Sequence, residues 1–425
     1  MFTSDHLAAH VPALESANHI YVGYSGGLDS HVLLHLVVSL VGAQKVTALH
    51  INHQLSPNAD QWQSHCSTQC KQFGVNLQSF RVDLKKSGSG VEQAARDARY
   101  QIFEAALGRG DLLLLAHHAD DQAETVLYRM LRCSGPRGLA AMPEHRGLGK
   151  GQLLRPLLNI PRATLEGYAK EHDLNWIHDE SNELLDFDRN FLRHKVVPVL
   201  KERWPDLAER FSQVAHLCRQ TDDLTRELAE ADLVNAGERK ERLGVSIDME
   251  SLKSLSLTRR HNLVRFWCER RGYRMPPQVR LERIHRELIE AREDASPIIE
   301  FGDCELRRFA GRIYLLPPLC QAPDPDGEIP WDGCQELVVE SAGCVQPISV
   351  PKDEYVVRFR RGGERCQPVG RDRSQSLKKV LQELQVEPWL RERLPLVYRN
   401  DQLVAVAGLF VCEEGCEIGW KPALN

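Results

Sequence analysis

Of what the 425-residue chain lacks, the most useful absence is a long hydrophobic run: no stretch of about 18 apolar residues occurs, so no segment reads as a membrane span. The N-terminus, MFTSDHLAAH, has no basic patch followed by an apolar stretch, so export by a signal peptide is not expected and the cytoplasm is. There is no excess of positive charge, with 54 basic against 59 acidic residues, so any nucleic-acid surface must be local. Twelve cysteines show no paired framework, and reduced thiols follow. The pairs Cys66/Cys70 and Cys412/Cys416 resemble half of a zinc site, but neither has a second Cys or His pair nearby. No internal repeat of solenoid period is present.

What is present is ordinary globular material, 42% hydrophobic and 27% charged, long enough for two to four compact units. Apolar runs at 20–24, 46–51, 77–82 and 112–116 alternate with helical patterns at 29–40, 58–73 and 91–107. That alternation predicts strands buried on both faces of an open, mainly parallel sheet: an α/β nucleotide-binding domain over 1–205. Long amphipathic patterns then predict a mostly helical domain over 206–320, with hairpins after Ser296. A Pro-, Asp- and Gly-rich linker leads to a smaller β-rich domain over 336–425.

The segment Tyr21-Val-Gly-Tyr-Ser-Gly-Gly-Leu-Asp-Ser30 places Ser25, Gly26, Gly27, Leu28, Asp29 and Ser30 between the first strand and its helix. Glycines admit an anion close to the backbone, hydroxyls donate, and a helix N-terminus adds unpaired N–H groups. This is a phosphate cradle. It lacks the lysine of a Walker A loop, so the usual kinase or GTPase assignment does not fit. A glycine turn that merely caps a helix is the bland alternative. His50 and Ile51 end the next strand, where a parallel sheet binds ligands, although a packed strand-end histidine is an equal account of His50.

At the end of a later strand, His117, His118, Asp120, Asp121 and Glu124 fall within eight positions. Such groups are costly to bury unless they meet charge, metal or substrate. Asp121 and Glu124 share a helix face and could hold an ammonium group or Mg²⁺ on ATP phosphates, while simple capping accounts for one of the aspartates. Arg96, Arg99 and Tyr100 lie on neighbouring helical faces, which suits an α-phosphate or RNA backbone; a solvated face is the alternative. Residues 128–155 carry Arg129, Arg132, Arg137, Arg146 and Lys150, and predict a flexible basic loop. A second basic segment contains Arg358, Arg360 and Arg361.

The order strand, SGGLDS, helix resembles the pyrophosphate-loop ATPases. With EQAARDARYQIF, HHADDQAETVLYRMLRCSGPRGLAAM, RPLLNIPRATL and NWIHDESNELLDFDRNFLRHKVVPVL following, the chain resembles the tRNA(Ile)-lysidine synthetases over most of its length, most strongly over 20–205. The resemblance implies adenylation of C2 of the wobble cytidine by ATP, then displacement of AMP by lysine. It implies Ser25, Gly26, Gly27 and Ser30 around pyrophosphate, and Asp29 on Mg²⁺ or shaping that pocket. His117 would lie near the reacting centre with Arg96 and Arg99, and Asp121 and Glu124 would meet lysine, with Asp179 a third candidate. Arg132, Arg137, Arg193, Arg360 and Arg361 would meet tRNA. The implied partners are isoleucine tRNA with a CAU anticodon, L-lysine and ATP, with no membrane; a homodimer stays open. Cys133 departs from the family pattern, which has Gly there, and keeps tRNA thiolation in view as an alternative; a non-catalytic RNA-binding protein is another.

Overall fold

The computed structural model describes residues 3–425 except 55, 83–90, 179, 181–187, 293–294, 296, 414 and 424–425, and of residues 4, 5, 91 and 92 the backbone alone. Two compact units divide at Asp223 and Leu224.

The first unit opens with α1 (Val11–Ser16), β1 (Ile20–Gly23), α2 (Leu28–Val41), β2 (Val46–Asn52), α3 (Ala59–Phe73), β3 (Asn76–Arg81), α4 (Val91–Ala106) and β4 (Leu112–Leu114). It continues through α5 (Ala119–Leu131), α6 (Pro136–Leu139), β5 (His145–Leu148), β6 (Gly151–Leu154) and α7 (Arg162–Glu171). The closing helices are α8 (Asp188–Phe191), α9 (Val197–Arg203) and α10 (Leu207–Asn235), the last running past the unit boundary.

The sheet order is β3-β2-β1-β4-β6-β5, parallel except for β5. Leu33, Leu36, Cys66, Cys70, Leu165 and Ala169 cover one face, and Phe103 and Leu107 of α4 cover the other. The expected α/β domain is therefore present. Strand order reverses between β1 and β4, and the crevice beyond their carboxyl ends is where such sheets place ligands. SGGLDS follows β1, and His117 and His118 follow β4.

Two expectations need correction. β3 is not buried on both faces; it forms the sheet edge, and Gln78, Ser79 and Arg81 of its polar sequence are exposed. The basic stretch 128–155 is not a loop but the end of α5, the short α6 and the β5–β6 hairpin, which adds two strands to the sheet. Gly149 makes the turn at φ +54°.

In the second unit, helices Met249–Ser254, Leu257–Arg270 and Gln278–Arg283 pack with a five-stranded antiparallel sheet formed by Arg239–Lys240, Val245–Asp248, Ile298–Phe301, Cys304–Phe309 and Arg312–Leu316. Beyond 328 the chain is β-rich, with sheets of five, three and two strands and the short helices Leu377–Glu383 and Pro388–Arg391. Leu243, Tyr314 and Leu316 share a core with Leu377, Leu381, Leu390 and Leu396. The middle and C-terminal segments therefore bury apolar surface together.

Candidate active site

The cradle is built before any ligand arrives. Gly26 has φ +84°, and a Cβ there would lie 2.7 Å from both Cys66 Sγ and Ile177 Cδ1, so only glycine fits. Its carbonyl accepts from the Ile177 amide at 2.9 Å. The Ser30 hydroxyl donates to Gly27 O (3.0 Å), accepts from the Ser25 amide (3.2 Å) and lies 3.0 Å from the Ser25 hydroxyl. The first helical bond of α2 runs from His31 N–H to Gly27 O (3.0 Å), which leaves the amides of Leu28, Asp29 and Ser30 outside the ladder at the positive end of the helix. His50 is buried and its Nδ1 donates to Tyr24 O at 3.0 Å, so this ring also braces the entry to the loop. Ile51 packs with the α4 face of the sheet.

Asp29 points from the first turn of α2 toward α5. Its Oδ2 lies 3.7 Å from His118 Nε2, and Arg162 Nε is 3.9 Å from Oδ1, which is buried without a hydrogen bond. Burial pushes its carboxyl above the usual range, against the pull of His118, and nearby Asp121 adds to the rise. A buried carboxylate oxygen with no donor on it suits a cation. Among the described residues, no three His, Cys, Asp or Glu side chains are grouped to hold a metal. Asp29 alone would fit Mg²⁺ as that ion is carried on ATP phosphates, held by one carboxylate.

At the head of α5 the capping is done by His118. Its Nδ1 accepts from the Asp121 amide (3.3 Å) and its own amide donates to Asp121 Oδ2 (3.1 Å), a reciprocal capping box. Capping thus accounts for one of the two aspartates, Asp121, whereas Asp120 accepts from Lys201 Nζ and the Arg162 amide (2.9 Å). Burial would raise Asp120, and these bonds hold it below the usual carboxylate range. Asp121 and Glu124 do share a face, as expected. They meet Arg193: Nε and Nη2 bond Glu124 at 2.6 and 2.8 Å, and Nη2 reaches Asp121 Oδ1 at 2.9 Å. Burial would lower the guanidinium, but its bonds to Glu124 outweigh this and keep it charged. Arg193, expected at tRNA, thus lies on the carboxylates expected to hold lysine. It sits in a π-helical turn, Leu192–Val196, immediately ahead of Pro198, which has no N–H for an α-helical bond to residue 194.

Cations gather around Tyr100 of α4. Arg96 and Arg146 guanidiniums lie 5.1 and 5.2 Å from the Tyr100 ring centroid. Arg155 is 2% exposed yet forms no ion pair among the described residues; it donates to Tyr100 Oη (3.3 Å), Pro143 O (2.7 Å) and His117 Nδ1 (3.1 Å). Burial pushes Tyr100 up, but Arg155, Arg96 and Arg146 bring it below its ordinary value. Arg99 lies 3.5 Å from His53 Nε2. Arg155 opens the RPLLNIPRATL segment, which by itself gives it no role; its place at the carboxyl end of β6 is the signal that could have found one.

Arg132 and Arg137 are exposed, with Arg132 over the Tyr128 ring at 5.4 Å. Arg360 and Arg361 belong to the second unit, where Glu364 lies 3.8 Å from Arg360 and Asp326 3.1 Å from Arg361. Asp179 lies outside the described residues.

The cradle at the switch point and the charged cluster opposite it agree with family comparison: a model described as the PP-loop domain matches residues 3–200. The chain is an ATP-using PP-loop enzyme. Models described as the TilS substrate binding domain and the TilS substrate C-terminal domain match 247–314 and 355–421. The chain belongs to the tRNA(Ile)-lysidine synthase family. It is 38% identical over 440 residues to the tRNA(Ile)-lysidine synthase of Coxiella burnetii, covering 99% of this chain and 96% of that one. It is 42% identical over 415 residues to that of Alkalilimnicola ehrlichii (95% and 92%) and 40% identical over 423 residues to that of Yersinia pseudotuberculosis (93% and 92%).

Proposed function

We propose that this chain joins the ε-amine of L-lysine to C2 of the wobble cytidine in the CAU anticodon of isoleucine tRNA. The C2 oxygen attacks the α-phosphorus of ATP and pyrophosphate leaves; the amine then attacks C2, AMP leaves with that oxygen, and the amine loses a proton. A carbonyl oxygen leaves poorly and an adenylate leaves well, which is why ATP is consumed. Family membership and the preformed cradle support this reading. The observation that carries it is Asp29 Oδ1, buried and unbonded at the mouth of the cradle, with His118 joining it to the acidic head of α5.

In this reading the amides of Leu28 to Ser30, with Gly26 and Gly27, hold the pyrophosphate, while Ser25 and Ser30 keep the loop in shape. Mg²⁺ held at Asp29 supplies charge neutralisation to the phosphates. Arg96, Arg99 and the uncompensated Arg155 face the anionic reactants, and Arg132 and Arg137 meet the anticodon arm. Asp121 and Glu124 bind lysine with Arg193 beside them, the guanidinium fixing their geometry. The domains over 206–320 and 336–425 bind the rest of the tRNA, through Arg360 and Arg361 among others. The enzyme works in the cytoplasm. No helix among the described residues is long and apolar enough to cross a membrane. Labelled lysine, ATP and bulk tRNA test the proposal together: label must enter RNA only when ATP is present, and its absence from RNA overturns the reading.

A further inference from the structure

His117 is bonded on one side by a group that can only donate. Arg155 Nε–H lies 3.1 Å from His117 Nδ1, and a guanidinium has no lone pair to offer in return. Nδ1 must therefore carry the lone pair, and in the neutral ring the proton sits on Nε2. That nitrogen has no protein partner among the described residues, and the ring is only partly exposed at the end of β4. Arg155 is itself held rigidly, by Pro143 O at 2.7 Å and Tyr100 Oη at 3.3 Å, with its own amide donating to Glu144 O at 2.8 Å.

We propose that Arg155 is a positioning residue that locks His117 as the Nε2–H tautomer, so that His117 serves the reaction as a neutral hydrogen-bond donor and not as a base. The inference rests on the reaction proposed above. Its oxygen partner is the one adenylated in the first step and departing with AMP in the second: a neutral N–H supports the growing negative charge there without an ionisation of its own. The charged groups facing His117 are Asp121 on α5, neighbouring His118, Arg96 on α4 and Arg155. Burial dominates and lowers the ring to about 3; Asp121 alone opposes it, and Arg155, Arg96 and His118 push the same way as burial. The amine's proton must consequently leave by another group, and the carboxylates of α5 are the bases at hand.

The decisive measurement is read on the wild-type protein, with one variant used for assignment. Two-bond ¹H–¹⁵N spectra of the whole protein labelled with ¹⁵N-histidine report which ring nitrogen carries hydrogen, and the His117 signals are those missing in His117→Gln. The proposal expects protonated Nε2 and bare Nδ1 in the wild type at neutral pH. A protonated Nδ1, alone or in an imidazolium, overturns it whether or not the protein makes lysidine. In Arg155→Met the pattern should be lost and kcat should fall by about tenfold or more, with KM for ATP and lysine changed by less than about threefold; Arg155→Lys, which keeps a donor, should recover part of both. An unchanged tautomer in folded Arg155→Met also overturns the proposal, and lysine incorporation failing with the tautomer intact would count against the reaction and not against the lock.

Discussion

Replacing Asp29 by alanine removes a buried acceptor that has no hydrogen-bond partner on Oδ1, so the folded state loses little. The variant should fold with near-normal stability and lose tRNA- and Mg²⁺-dependent pyrophosphate release, measured as phosphate after pyrophosphatase; near-normal turnover would remove Asp29 from the mechanism. His31 behaves differently. It is fully buried, its Nδ1 lies 2.7 Å from Tyr24 Oη, and burial first, with His65 and His35 adding, lowers it to about 4 from 6.5. The unfolded chain therefore binds this proton below pH 6.5 while the folded one refuses it until about pH 4. Stability is full above pH 6.5 and falls as pH drops through that window, by about 2–3 kcal/mol from this residue. Urea midpoints at pH 7 and 5 should differ, and His31→Gln should flatten the difference. Cys133 has φ +54°, in the left-handed region, which gives a physical reason for the glycine of the family pattern. Cys133→Gly should keep stability within about 0.5 kcal/mol and keep lysine incorporation, whereas Cys133→Val should cost about 1–2 kcal/mol in denaturant unfolding. Abolished activity in folded Cys133→Ser would instead revive thiolation.

Helices and strands were legible where one periodicity ran unbroken. β1, β2, α2 and α3 fall within a residue or two of their expected bounds because Ile20 to Tyr24 and Val46 to Ile51 are apolar runs buried against helices on both sides. The β5–β6 hairpin was hidden because its arginines and glycines mimic a solvated loop, while only Leu148, Leu153 and Leu154 face the core. In the site, residues adjacent in sequence were found, namely SGGLDS and HHADDQAET. Partners from distant elements were not: Arg155 reaches His117 across 38 positions and Arg193 reaches Glu124 across 69. Neither pairing has a local pattern, since sequence spacing reports only what one element shares. The Arg193–Glu124 ion pair makes a prediction at this scale. Glu124 has 7% side-chain exposure and Arg193 30%, so Arg193→Met strands a buried carboxylate and should cost about 3 kcal/mol. Glu124→Gln in that background should restore part of the loss, a coupling read from urea midpoints of the four proteins in the double-mutant cycle.

At the scale of the whole chain, catalysis and RNA binding should separate. The cradle, Asp29 and the α5 cluster all lie before Asp223, while Arg360 and Arg361 lie after it. Arg360→Gln with Arg361→Gln should therefore leave ATP affinity unchanged and flatten the dependence of log tRNA affinity on log salt by about 0.7–0.9 for each phosphate that these side chains neutralise. Fluorescence titrations at several salt concentrations check this; an unchanged slope would show that these arginines serve Asp326, Glu328 and Glu364 and not RNA. Substitution is a cleaner test than truncation. Removing the chain from 336 would strip Leu243, Tyr314 and Leu316 of the leucines that bury them, and a composition shift in the linker at 317–333 carries no sign of that shared core.

The wide turn at Leu192–Val196 has a rotational consequence. Arg193 and Lys201 both reach acids of α5, Arg193 bonding Glu124 and Asp121 and Lys201 bonding Asp120. In an uninterrupted α-helix eight residues advance about 800°, which would aim the two cations about 80° apart. A π turn absorbs one extra residue without advancing the helix, so the angle shrinks to about 20° in the opposite sense. The irregularity is thus a phase corrector: it brings two positive charges, spaced wrongly for a regular helix, onto one azimuth facing the three acids at the head of another.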